Sequence, residues 1–113
     1  MTASTDRELL ELAAKAVGIC LDWEWDGPPD QWQPWYYEDK TLRHWNPFTD
    51  DGDALRMAVM LGFGISIPLE NKRTDVLTFG GPLISVIDAH GADPCAATRR
   101  AIVRAAAEIG GAA

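Results

Sequence analysis

Ile65-Ser66-Ile67-Pro68-Leu69, Asp75-Val76-Leu77-Thr78-Phe79 and Leu83-Ile84-Ser85-Val86-Ile87-Asp88-Ala89 are three apolar, β-branched runs, separated by Glu70-Asn71-Lys72-Arg73 and by Gly80-Gly81-Pro82. Each run has the length and residue types of a strand, and each separator carries turn chemistry. Connections this short join antiparallel neighbours, because a parallel crossover needs a dozen residues or more. The stretch therefore predicts an antiparallel meander.

Helical patterns flank the meander. On its N-terminal side Asp50 is placed to cap a helix, with Asp51 and Asp53 in the first turn where carboxylates meet free N–H groups. Leu55, Ala58, Val59 and Gly62 form the expected buried stripe of this helix, about 50–62. On the C-terminal side Asp93-Pro94 gives a cap followed by proline at the first helical position. Ile102, Ala106 and Ile109 carry an apolar stripe up to Gly110, which predicts a helix over 94–109 and a short tail, Gly111-Ala113. A further helix, 6–17, opens the chain, with Thr5 and Glu8 as a capping box and Gly18 as its stop. Its apolar residues Leu9, Leu12, Ala13, Ala16 and Val17 recur at helical spacing. The expected fold is one α+β domain over 1–113, a layered α-β-α sandwich with three helices and an antiparallel sheet of three to four strands.

The 113 residues are 47% hydrophobic and 24% charged, close to the globular average, so disorder is not expected. A chain of this size buries roughly 65% of its unfolded surface on folding. No apolar run reaches the ~20 residues of a membrane span, and no basic region precedes an apolar one at the start. These features predict a soluble, intracellular protein in which Cys20 and Cys95 remain free thiols.

Charge and rings are unevenly placed. Asp22, Glu24, Asp26, Asp30, Glu38, Asp39, Asp50, Asp51 and Asp53 face only Lys40 and Arg43 between positions 22 and 53, so this segment holds the chain's entire net charge of −7. The same segment holds all five Trp, both Tyr and Phe48. Pro28, Pro29, Pro34 and Pro47 interrupt any long element there, leaving room for a short ribbon of Trp35–Tyr37 with Leu42–Trp45. Trp side chains concentrate at contact surfaces, so Trp23, Trp25, Trp32, Trp35, Tyr37, Arg43 and Trp45 are the candidate binding residues.

Three segments carry a family resemblance: Arg7-Glu8-Leu9-Leu10-Glu11-Leu12-Ala13-Ala14-Lys15-Ala16-Val17-Gly18, Trp45-Asn46-Pro47-Phe48-Thr49-Asp50, and Ala92-Asp93-Pro94-Cys95-Ala96-Ala97-Thr98-Arg99-Arg100-Ala101-Ile102. Together they resemble the phage ABA-sandwich domain family of small NinX-like phage and prophage proteins. The resemblance implies an α-β-α layered fold, a phage or prophage origin and a bacterial cytoplasm as the setting. It brings no catalytic residue with it.

Other residue patterns point weakly to chemistry. Asp50-Asp51-Gly52-Asp53 contains hard-metal donors, but the spacing is that of a helix start. His44 and His90 have no second histidine one turn away, and Ser66 and Ser85 sit at strand positions without a nucleophile elbow. Cys95 on the apolar side with Ile102 reads as a buried structural thiol. Gly62-Phe63-Gly64 reads as a helix stop and strand entry, and Gly80-Gly81 as a turn, neither being a phosphate cradle. No metal or cofactor is implied.

The helix, meander, helix order of 50–109 is also that of double-stranded RNA-binding domains, whose basic residues open the final helix. Here Asp93 holds that position, and Arg99, Arg100 and Arg104 come later, with Arg100 and Arg104 expected to complement the acidic segment. Acid around exposed rings favours a basic protein patch or a cationic small molecule over nucleic acid. The expectation is a non-enzymatic protein that binds a host or phage protein through the acidic aromatic segment. The alternatives are a small-ligand binder, with Arg43 or Lys40 at a phosphate and self-association completing the pocket, and an RNA-binding module.

Overall fold

Local capping chemistry sets the helix starts. In the computed structural model, which describes residues 5–24, 33–38, 40–78 and 85–112, the Thr5 hydroxyl accepts the Glu8 N–H at 3.1 Å and opens α1, Asp6–Val17. Gly18 closes it at φ +80°. Asp50 Oδ2 accepts the Asp53 N–H at 2.8 Å and opens α2, Asp51–Leu61. Asp93 Oδ1 accepts from the N–H groups of Cys95 and Ala96 at 3.0 and 3.1 Å at the start of α3, Pro94–Ala112. The aspartates of residues 50–53 are thus a helix start, as the spacing predicts.

The strands form two three-stranded antiparallel sheets. The first contains β1 (Asp22–Glu24), β2 (Gln33–Glu38) and β3 (Thr41–His44) in that order. It extends the expected ribbon of Trp35–Tyr37 and Leu42–Trp45 by a strand, β1, that the sequence pattern does not announce. The second is the meander of β4 (Gly64–Ser66), β5 (Arg73–Leu77) and β6 (Ser85–Ala89), also in chain order. β4 stops three residues short of Leu69, because Pro68 has no N–H for the ladder and Leu69–Asn71 turn into a 3₁₀ helix. Lys72 then takes a left-handed conformation, φ +52°, which reverses the chain at once and starts β5 two residues before the expected Asp75. The expected turn at Gly80-Gly81-Pro82, with Phe79, Leu83 and Ile84, lies outside the described residues.

Helix α3 is the centre of the molecule. It packs on β5 and β6 on one side, and α1 and α2 pack against it on others. Ala101, Ile102, Val103, Ala105, Ala106 and Ala107 are all buried, so its apolar surface runs nearly all the way round rather than as one stripe. Alanine makes this possible, since short side chains let two helices and a sheet approach one axis. On the meander side α3 lies between α1 and the sheet; the expected mixed α+β fold with three helices is present, with its strands in two small antiparallel sheets where one sheet of three to four strands was expected. Val76 and Val86, opposite each other in the ladder, supply the sheet's contribution to the core.

The helix faces turn slightly from the expected ones. In α1 the buried residues are Leu10, Ala13 and Ala14, with Leu9 and Val17 packed at the margin. In α2 they are Asp53, Ala54, Met57 and Ala58, whereas Leu55 and Val59, expected inside, are 60% and 72% exposed. Helix α3 continues through Gly110 to Ala112 instead of stopping there, and Gly110 sits where a side-chain carbon would collide with the Leu12 carbonyl of α1. Among the described residues no helix is long and apolar enough to cross a membrane.

Candidate contact surface

Strand alternation divides the aromatic segment. Pro34 is fully buried and Tyr36 packs against the core, so these two alternate residues of β2 fasten the first sheet to the body of the molecule. Trp35 lies between them and is only partly buried. Its ladder partner is His44 on β3, and the two rings meet edge to face at 5.2 Å between centroids and 76° between planes. Arg43, exposed, stands opposite Tyr36. Asp22, opposite Trp35, and Glu24, opposite Gln33, hold the Trp35 register of the ladder, whereas Glu38, opposite Thr41, falls on the register of Pro34 and Tyr36.

Of the seven candidate binding residues, the structure brings Trp35 and Arg43 onto adjacent strands. Trp23 and Tyr37 hold backbone positions in β1 and β2, opposite Pro34 and Leu42. Trp25 and Trp32 lie outside the described residues. Trp45 is a correction: it is 4% exposed and belongs to the hydrophobic core, with its N–H donated to the Pro34 carbonyl at 3.0 Å. Its position at the end of β3, where the chain turns inward, makes it an anchor and not a contact residue. His44 is the residue that sequence reasoning undervalued. Only the strand register, which puts it opposite Trp35, reveals its partner.

The Trp45-to-Asp50 motif is a joint. Asn46 Oδ1 accepts the Phe48 N–H at 3.0 Å, and the Asn46 carbonyl accepts the Asp50 N–H at 2.9 Å, which folds the motif into a compact turn. Asp53 Oδ2 accepts the Asn46 N–H at 3.0 Å, tying the turn to α2. Arg99 donates from Nε to the Phe48 carbonyl at 2.7 Å and from Nη1 to Asp51 at 2.6 Å, tying it to α3. Arg56 closes the group through a 2.7 Å bond to Asp53. That hydrogen bond, with the nearby charges of Asp53 and Asp50, raises the Arg56 guanidinium above its ordinary value. The motif that looks most distinctive in the sequence therefore fixes how the aromatic sheet meets the helices.

His90 takes part in a buried polar chain. Thr98 donates its hydroxyl proton to the Pro94 carbonyl at 2.8 Å. Its oxygen then accepts from Thr74 at 2.7 Å, and Thr74 in turn accepts from His90 Nε2 at 2.8 Å. His90 is thereby held with its proton on Nε2. A base that activated Thr74 would have to accept that hydrogen bond, so the direction is the reverse of a nucleophile's, and Thr74 is fully buried besides. The chain links β5, the end of β6 and α3.

The arginines of α3 each meet an acid. Arg99 pairs with Asp51, Arg100 lies 3.8 Å from Asp6 and stacks over Phe48, and Arg104 pairs with Asp88 at 3.0 Å. Arg100 and Arg104 thus complement α1 and β6 and not the acidic segment. Cys20 and Cys95 are both free, and Cys95 is exposed where a buried thiol was expected. Comparison with protein-family models, with curated proteins and with solved structures finds no match for this chain.

Proposed function

We propose that this chain is a non-enzymatic binding protein whose contact surface is the acidic, aromatic sheet of β1, β2 and β3, and whose partner is a protein with a basic surface. The observation that carries the reading is Trp35. It lies between two residues, Pro34 and Tyr36, that anchor β2 inward, and it is itself left partly open beside its ladder partner, the exposed His44. Partly open rings among acidic ladder positions offer a partner apolar contact together with attraction for basic side chains. The wider reading, a small phage or prophage accessory protein acting on a host or phage protein in the bacterial cytoplasm, rests on the three sequence segments that resemble the phage ABA-sandwich family.

The test is capture from bacterial lysate on immobilised wild-type protein and on a Trp35→Ala variant. The reading expects a basic-surfaced partner held by the wild type, released as salt rises, and lost from the variant while its circular dichroism is unchanged. Equal recovery by a natively folded variant would overturn it.

A further inference from the structure

Where β6 runs out and the chain turns into α3, a cleft of about 620 Å³ opens, bounded also by Asp6 at the start of α1 and by Phe48 of the joint. His90 is among its lining residues although only 7% of it is exposed. The His90 N–H is donated to the Lys72 carbonyl at 2.8 Å, which continues the ladder one residue past Ala89. By strand alternation its side chain therefore falls on the face of Val86 and Asp88, toward α3.

Only one nitrogen of that ring is engaged. Nε2–H is donated to Thr74 at 2.8 Å, which leaves Nδ1 as a bare acceptor. Nδ1 has no hydrogen-bond partner among the described residues and is not enclosed, so its lone pair opens on the cleft that His90 lines. A nearly buried acceptor without a donor is costly, and a ligand that donates to it relieves that cost. The neighbouring groups are acceptors as well. Asp93 gives Oδ1 to the N–H groups of Cys95 and Ala96 and leaves Oδ2 unused among the described residues. Asp88 is matched by Arg104 from outside the cleft and Asp6 by Arg100, so Asp93 is the one lining carboxylate with no base beside it.

We infer that this cleft binds a small organic monocation, an ammonium or guanidinium group on a short aliphatic stem, which donates to His90 Nδ1 and is balanced by the charge of Asp93. The volume is that of a small-molecule site. Ala96 and Ala97 on α3 give the stem an apolar wall. An anion would meet three carboxylates, with Arg100 already held at Asp6 and over Phe48. A metal ion is not served either, since among the described residues no three His, Cys, Asp or Glu side chains converge. A neutral donor would leave the charge of Asp93 unmatched. No described residue of β1, β2 or β3 lines the cleft, so the inference stands independently of the proposed function.

The test is an NMR titration of the full chain with n-butylguanidinium at constant ionic strength, following the His90 ring nitrogens and the amides of residues 88–97. Binding at about 1 mM, the scale for so few atoms, should shift the Nδ1 resonance as it gains a donor while Nε2 keeps its proton. His90→Gln retains an N–H for Thr74 but has no acceptor at the Nδ1 position, and Asp93→Asn retains the cap of α3 but drops the charge. Each should weaken binding about fivefold or more, read from the amides. Should His90→Gln misfold, Asp93→Asn makes the test alone. n-Butylammonium should shift Nδ1 in the same direction, inorganic phosphate should leave it unmoved, and Trp35→Ala should bind as the wild type does. Nα-acetylarginine amide, the same group on a peptide unit, should bind no tighter than n-butylguanidinium. Tighter binding would overturn the assignment to a free ligand in favour of a protein's basic side chain. An unmoved Nδ1 at about 50 mM cation, well above the expected dissociation constant, would overturn the site itself. So would undiminished binding by the natively folded variants, or a shift produced by phosphate alone.

Discussion

Gly110 on α3 lies directly against the Leu12 carbonyl of α1, with no space for a methyl group between the two backbones. This contact lets the first and last helices pack at close range. Replacing a helical glycine by alanine ordinarily stabilises by about 0.5–1 kcal/mol. Here the sign should reverse: Gly110→Ala forces the helices apart and should cost at least the ~1–3 kcal/mol of ordinary overpacking. Gly111→Ala is the control, since its added carbon would meet only the Leu12 side chain at 4.0 Å. It should be neutral or mildly stabilising, and urea denaturation of both variants checks the contrast.

The His90, Thr74 and Thr98 chain should be costly to interrupt. Thr74→Val keeps the shape but leaves the His90 Nε2–H and the Thr98 hydroxyl oxygen without their buried partner, a loss of about 1–3 kcal/mol. Thr74→Ser keeps the hydroxyl and should lose less. Thermal melting ranks the two, and nitrogen chemical shifts of the His90 ring should report the Nε2–H tautomer in the wild type. A ring protonated only on Nδ1 would contradict the proton order.

At the joint between sheet and helices, two neighbouring residues should behave differently. Asp53 is buried and takes hydrogen bonds from the Asn46 N–H and from Arg56, so Asp53→Ala should cost about 1.5–3 kcal/mol. Arg56 is largely exposed, and Arg56→Ala should cost no more than about 1 kcal/mol. Chemical denaturation of the two single variants gives the comparison.

What could be read from the sequence was what local chemistry determines. Thr5, Asp50 and Asp93 cap their helices by hydrogen bonds within three residues, so three helix starts were legible to within a residue. Gly18 and Gly62 marked true ends for the same reason. Gly110 did not, because its role depends on Leu12, almost a hundred positions away. The division of strands into two sheets, and the addition of β1, depend on pairing partners that no single segment reveals. Leu55 and Val59 looked like core residues by periodicity, yet the buried face of α2 is that of Ala54, Met57 and Ala58. In the aromatic segment the pattern located a distinct element but could not sort its rings. That Trp45 turns inward while Trp35 stays partly open follows from where β3 ends.

Hydrogen exchange measured by mass spectrometry, on the free protein and on its complex with the partner it captures, tests the contact surface most directly. Slowed exchange on binding, concentrated in the amides of residues 33–38 and 41–44 and abolished by Trp35→Ala, is the predicted result. Protection confined to α2 and β4, or to α1 and α3, with residues 33–44 unchanged, would contradict it.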